Sequence, residues 1–166
     1  MNFDQAVSIL LDQYHEGAYS NNSNDPGKET MWGITQRVAW ANGYTGAMRY
    51  LTRDGAIAIY KKAWWEFLRI DELPDLMRYS LFDAAVNSGQ SQATKWLQEV
   101  VGAQEDGVLG DETIAAAKLV NPLKAAILME VTRTDMETNL PIWTSFSRGW
   151  ARRMVANVKQ IVGKPI

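Results

Sequence analysis

Residues 14–34 read YHEGAYSNNSNDPGKETMWGI, and the fold turns on how this stretch divides. Upstream of it, Phe3, Val7, Leu10, Leu11 and Tyr14 recur at helical spacing. That periodicity predicts a first helix that stops near Glu16-Gly17, with the glycine as its end signal. Residues 17–30 are dense in Gly, Ser, Asn, Asp and Pro, which predicts a loop, with a short hairpin available over 18–34. Glu16 therefore falls on a boundary between an apolar helix and a polar loop.

Outward from this boundary the chain reads as helix after helix. Residues 35–43 form a short one, with Thr35 as N-cap and Gly43 as stop. A longer one spans about 53–68, with Ile57, Tyr60, Trp64 and Phe67 on one stripe and Pro74 in its exit loop. Residues 74–89 read as a buried helix ending at Asn87-Ser88-Gly89, and 92–102 as another with Trp96, Leu97 and Val100 inward. Asp106-Gly107 centres a turn over 104–113, after which Asp111 caps the next helix. Pro122 opens a helix to about Glu137. The last helix, about 144–162, sets Trp150, Met154, Val158 and Ile161/Val162 on one side. With no long strand pattern, the expected class is a mainly α bundle.

Composition excludes several chemistries. The absence of cysteine rules out disulfides and thiolate metal sites, and a single histidine, His15, speaks against zinc. His15 is read as structural. The polar loop alternates oxygen-bearing residues as a calcium loop does, yet Pro26 takes its sharp-turn position and Trp32 stands where the bidentate Glu belongs. No metal and no cofactor is expected. The formal net charge of −2 gives no field for nucleic acid. Charge is uneven, however: no Asp or Glu occurs from Thr138 to Ile166, against Arg148, Arg152, Arg153, Lys159 and Lys164. This is either one solvated face of a terminal helix or a contact for an anionic surface such as lipopolysaccharide, lipid or nucleic acid, with the bacterial envelope the expected one. The amino-terminal residues lack the basic start of a signal peptide, and no apolar run is long enough to span a membrane.

Glycosidic chemistry needs two carboxyl groups, one neutral acid and one ionised partner. Glu16, at the end of a mainly apolar helix, is the candidate acid, because desolvation keeps a carboxyl protonated. Asp25, in the polar loop, is the candidate partner, and the Thr30 hydroxyl is placed to orient water. The alternative assigns the same residues to a solvated helix end, a turn and a cap. Tyr19 is placed to orient Glu16. Tyr60 and Trp64 either meet sugar rings or belong to the core stripe whose period they share. Asn87 either bonds an N-acetyl group or ends its helix with Ser88 and Gly89.

Residues 15–35 resemble the signature of the glycoside hydrolase family 108 lysozymes, the N-acetylmuramidases of phage endolysins and bacterial secretion loci. That signature runs Glu-Gly-Gly-Tyr, Asp-Pro-Gly-Gly-Glu-Thr and Gly-Ile-Thr, and its catalytic glutamate corresponds to Glu16. Ala18 and Lys28 replace two of its glycines, which bears on loop geometry more than on chemistry. The Glu16–Asp25 interval of nine is also that of phage-type lysozymes, with one residue fewer before Thr30. Residues 81–113 are similar to the peptidoglycan-binding region that follows the catalytic motif in the family, and 146–154 to its closing Gly-Trp-x-x-Arg helix.

The resemblance implies a lysozyme-like bundle of two lobes around a cleft: a catalytic lobe, 1–73, and a helical lobe, 74–166, as one unit. It implies hydrolysis of the β-1,4 bond between N-acetylmuramic acid and N-acetylglucosamine in bacterial peptidoglycan; with no signal peptide, the chain is expected to be a monomer made in the host cytoplasm. A holin-type pore would release it to the wall. A lytic transglycosylase, which needs one Glu and no water-handling Asp, and a docking module without activity are the alternatives.

Overall fold

The computed structural model describes residues 1–13, 19–21 and 29–163. His15, Glu16, Ala18, Asp25 and Lys28 lie outside the described residues. The chain divides into two compact units, Asn2–Phe67 and Met1 with Leu68–Ile166.

In the N-terminal unit α1 (Phe3–Gln13) buries Phe3, Ala6, Val7, Leu10 and Leu11, the stripe its sequence sets out. A small antiparallel sheet follows in the order β1 (Ser20–Asn21), β2 (Glu29–Met31) and β3 (Ile34–Thr35). Its register pairs Ser20 with Thr30, Asn21 with Glu29, Thr30 with Thr35, and Met31 with Ile34. This extends the short hairpin expected from the sequence to three strands. Next, α2 (Gln36–Ala41) is capped by the Thr35 side chain, which accepts from the Val38 amide, and the chain turns at Gly43 with φ +92°.

The expected long helix is interrupted. α3 (Arg53–Tyr60) passes directly into a π-helical stretch, Lys61–Glu66. A π turn takes one more residue than an α turn, so the inward face moves by one position. Ala56, Ile59 and Tyr60 are buried, followed by Trp64, Trp65 and Leu68. Phe67, expected on the stripe with Ile57, is instead 66% exposed.

The C-terminal unit is built on α4 (Asp75–Ser88), which packs against α5 (Gln90–Val101), α7 (Pro122–Thr138) and α8 (Trp143–Val162). α4 buries Met77 and every residue from Tyr79 to Ala85, so it has no polar face. It ends where predicted, at Gly89 with φ +85°. On α5, Trp96 and Leu97 face inward as expected, but Val101 fills the core position assigned to Val100. α6 (Asp111–Leu119) starts one residue earlier than read: Gly110 is its N-cap, and Asp111 pairs with Arg69 at 2.7 Å instead of capping. α7 begins with Pro122 behind an Asn121 cap. The helices and the small sheet make a mainly α, lysozyme-like fold.

Asp83, wholly buried on α4, is the charge around which three helices meet. Arg133 of α7 reaches it at 2.7 Å, Arg153 of α8 at 2.8 Å, and the Asn157 amide donates to it at 2.8 Å. Burial alone would raise this carboxyl, but the two guanidinium groups outweigh it and hold it below its ordinary range. Arg153 is thus an internal counter-ion and not part of a solvated basic face. Glu137 bonds Arg133 at 3.0 Å, and Glu130 receives the Asn157 amide at 3.2 Å. Desolvation pushes Glu130 up to about 7, against the pull of Arg133 and with the push of Asp83.

Candidate active-site framework

The segment 22–28, which carries Asp25, joins β1 to β2, and the described residues show how its two ends are held. Asn21 and Glu29 face each other across the ladder. The Tyr19 hydroxyl donates to Glu29 Oε1 at 2.9 Å, and the Gln36 amide donates to Oε2 at 3.3 Å. Both carboxylate oxygens of Glu29 are therefore engaged, one by the residue before β1 and one by the first residue of α2. The Arg49 guanidinium lies 5.6 Å from the centre of the Tyr19 ring. Tyr19, three residues beyond Glu16 in sequence, is fixed at its hydroxyl and on its ring face.

Thr30 is half-buried in the middle of β2. Successive strand residues point to opposite faces, so Thr30 projects away from the side on which Glu29 gathers Tyr19 and Gln36.

The turn after β2 is under strain that its neighbours offset. Trp32 and Gly33 form a two-residue connection with φ of 55° and 72°, the pattern of a type I′ hairpin. A left-handed conformation at a tryptophan costs on the order of 1–2 kcal/mol. Two hydrogen bonds hold it there: Trp32 Nε1 donates to the Leu51 carbonyl and the Tyr60 hydroxyl to the Trp32 carbonyl, both at 2.8 Å. At about 1 kcal/mol net for each bond, the pair balances the strain.

This accounts for Tyr60, one of the residues considered for sugar contact. It is fully buried, its hydroxyl is spent on Trp32, and its ring packs 5.1 Å from Trp64. Trp64 is 9% exposed. Both occupy buried positions, as the core stripe they share would have them. Asn87 donates its amide back to the Asp83 carbonyl at 2.7 Å, a helix-ending bond within α4.

The Asp106-Gly107 turn is anchored from α5. Gln98 donates to Asp106 Oδ1 at 2.7 Å and to the Val108 carbonyl at 3.1 Å, and accepts from the Gly107 amide at 2.9 Å. Gly107 has φ +76°, and a Cβ there would collide with the Ser91 hydroxyl, so the turn requires glycine. Asp106 is held below its ordinary carboxylate range by the Val108 amide first and by Gln98 second. A cavity of about 180 Å³ borders this turn, less than the space that ligand pockets commonly offer. Among the described residues no group of three or more Asp, Glu, His or Cys is placed to hold a metal.

Sequence reasoning overlooked Glu29, Gln36 and Arg49. For Glu29 a signal existed: it sits in the Glu-Thr step of the loop signature, and strand alternation sets it opposite Thr30. Gln36 and Arg49 are joined to it only by folding.

Residues 11–89 match the family model Glycosyl hydrolase 108, a segment that takes in the whole Glu16–Thr30 stretch and ends with α4. The match supports a glycoside hydrolase. The solved structure of Brucella abortus SagA is similar to this chain with a TM-score of 0.86 at 29% identity, over 96% of this chain and 93% of that one. No curated protein matches the sequence significantly.

Proposed function

We propose that the chain is a family 108 muramidase that hydrolyses the β-1,4 bond between N-acetylmuramic acid and N-acetylglucosamine in peptidoglycan. The observation that carries this is the Glycosyl hydrolase 108 match over residues 11–89, because it contains Glu16, Asp25 and Thr30 together. Glu16 donates its proton to the leaving glycosidic oxygen as the oxocarbenium-like transition state forms. Asp25 stays ionised and, with the Thr30 hydroxyl, orients the attacking water. Tyr19 and Glu29 act at the loop's base: their 2.9 Å bond, beside the Asn21–Glu29 pairing, supports keeping the ends of both polar segments in register. Tyr60 acts through the core by holding the Trp32 carbonyl, with Trp64 packed against its ring.

The test is turbidity loss of permeabilised bacterial cells with the wild type and with Glu16→Gln, which keeps shape and removes the proton donor. Clearing by the wild type and none above background by the variant is the expected result. Equal clearing by both removes Glu16 from the mechanism. No clearing by either leaves a module that only docks on the wall.

A further inference from the structure

The α7–α8 turn and the first half of α8 carry a surface that the proposed hydrolysis does not use. From Leu140 to Trp150 this stretch holds Leu140, Pro141, Ile142, Trp143, Phe146 and Trp150, and no acidic residue. Trp143, Phe146 and Trp150 share one helix stripe, at intervals of three and four. Their rings form one patch, with Trp143 to Trp150 at 5.8 Å and Phe146 to Trp150 at 5.9 Å. Farther along, the same stripe turns Asn157 and Ile161 into the core. At the turn end it comes out: Ile142 is 50% and Phe146 54% exposed, and both tryptophans are half-buried.

The charges on the same helix point to the patch's partner. Arg148 and Arg152 are exposed on the opposite side of the helix from the aromatic stripe. Arg153, bound to Asp83, contributes nothing outward. An apolar, Trp-rich stripe backed by basic residues is the pattern of a helix lying in a membrane interface. Indole rings suit that depth because they are apolar with one polar edge. Among the described residues no helix is long and apolar enough to cross a membrane, so contact would be from one side.

We propose that the turn end of α8 docks on an anionic phospholipid bilayer. Ile142, Trp143, Phe146 and Trp150 enter the interface, and Arg148 and Arg152 on the polar face add electrostatic attraction to the anionic surface. Charge complementarity selects this partner over a second copy of the chain, whose matching face would be equally basic. This docking is independent of the hydrolytic step.

The test is co-sedimentation of the full chain with vesicles of equal phosphatidylglycerol and phosphatidylcholine, against phosphatidylcholine alone. Sedimentation velocity without lipid and retention on purified sacculi run alongside. The expected result is binding to the anionic vesicles only, weakened by added salt. Arg148→Gln with Arg152→Gln should lower the partition coefficient roughly 25-fold, at about fivefold for each basic residue. Ile142→Ser with Phe146→Ser should abolish binding without loss of helical circular dichroism, since both side chains are half or more exposed. Equal binding to neutral vesicles, or variants that bind as the wild type does, overturns the proposal. So does a dimer or sacculus retention that needs Phe146 in a protein that ignores lipid.

Discussion

Glu130→Gln isolates one buried carboxyl whose protonation the fold controls. Glu130 is 2% exposed, and desolvation carries it from an ordinary 4.5 up to about 7, with Arg133 opposing and Asp83 assisting. The raised value means that the folded chain holds a proton which the unfolded chain has released. The stability from this site is thus complete below about pH 4.5 and is lost as pH rises through about 7. Each pH unit inside that interval removes about 1.4 kcal/mol, so the loss between pH 5 and pH 8 comes to about 2.5 kcal/mol. Gln resembles the neutral carboxyl and does not titrate. The variant should therefore match the wild type closely at pH 5 and exceed it by about 2.5 kcal/mol more at pH 8. The facing groups leave that window clear. Asp83 is shifted downward, and Arg133 is raised further above its already basic range. Urea unfolding of both proteins at the two pH values, followed by circular dichroism, reads the difference. A gap that stays constant with pH, or shrinks as pH rises, would refute the assignment.

Asp83→Asn removes the buried negative charge that Arg133 and Arg153 share, leaving Arg133 with Glu137, and should cost about 3–5 kcal/mol in urea unfolding; a loss under 1 kcal/mol would mean the pairs contribute little. Tyr60→Phe strips the bond that holds the Trp32 carbonyl and should cost about 1–2 kcal/mol, read as a lower urea midpoint at unchanged slope. Glu29→Ala releases Tyr19 and Gln36 together. If they hold the loop's ends, clearing of permeabilised cells should fall about tenfold, the weight of one hydrogen bond near 1.4 kcal/mol, while melting shifts little.

Much of the fold was legible because its signals are local. The α1 stripe, the Thr35 cap and the stops at Gly43 and Gly89 each follow from a few neighbouring residues. What escaped depends on distant partners. Nothing near Trp32 predicts a left-handed tryptophan, because the groups that hold it are Leu51 and Tyr60. The π-helical turn after Tyr60 keeps the pattern helical but shifts its phase, which exchanges Phe67 for Leu68 in the core. Arg153 reads as a solvated base until folding brings Asp83, seventy residues earlier, to within 2.8 Å. For the site, Glu16, Asp25 and Thr30 stood out by spacing and resemblance. The buried state of Tyr60 did not, since a core stripe and a sugar-facing stripe share one period.

The most direct test of the account is mass spectrometry of muropeptides released from purified peptidoglycan by the wild type and by Glu16→Gln. Hydrolysis with Asp25-assisted water leaves reducing N-acetylmuramic acid ends in the wild-type digest and no product with the variant. Products ending in 1,6-anhydro rings, or reducing ends on N-acetylglucosamine, would contradict it.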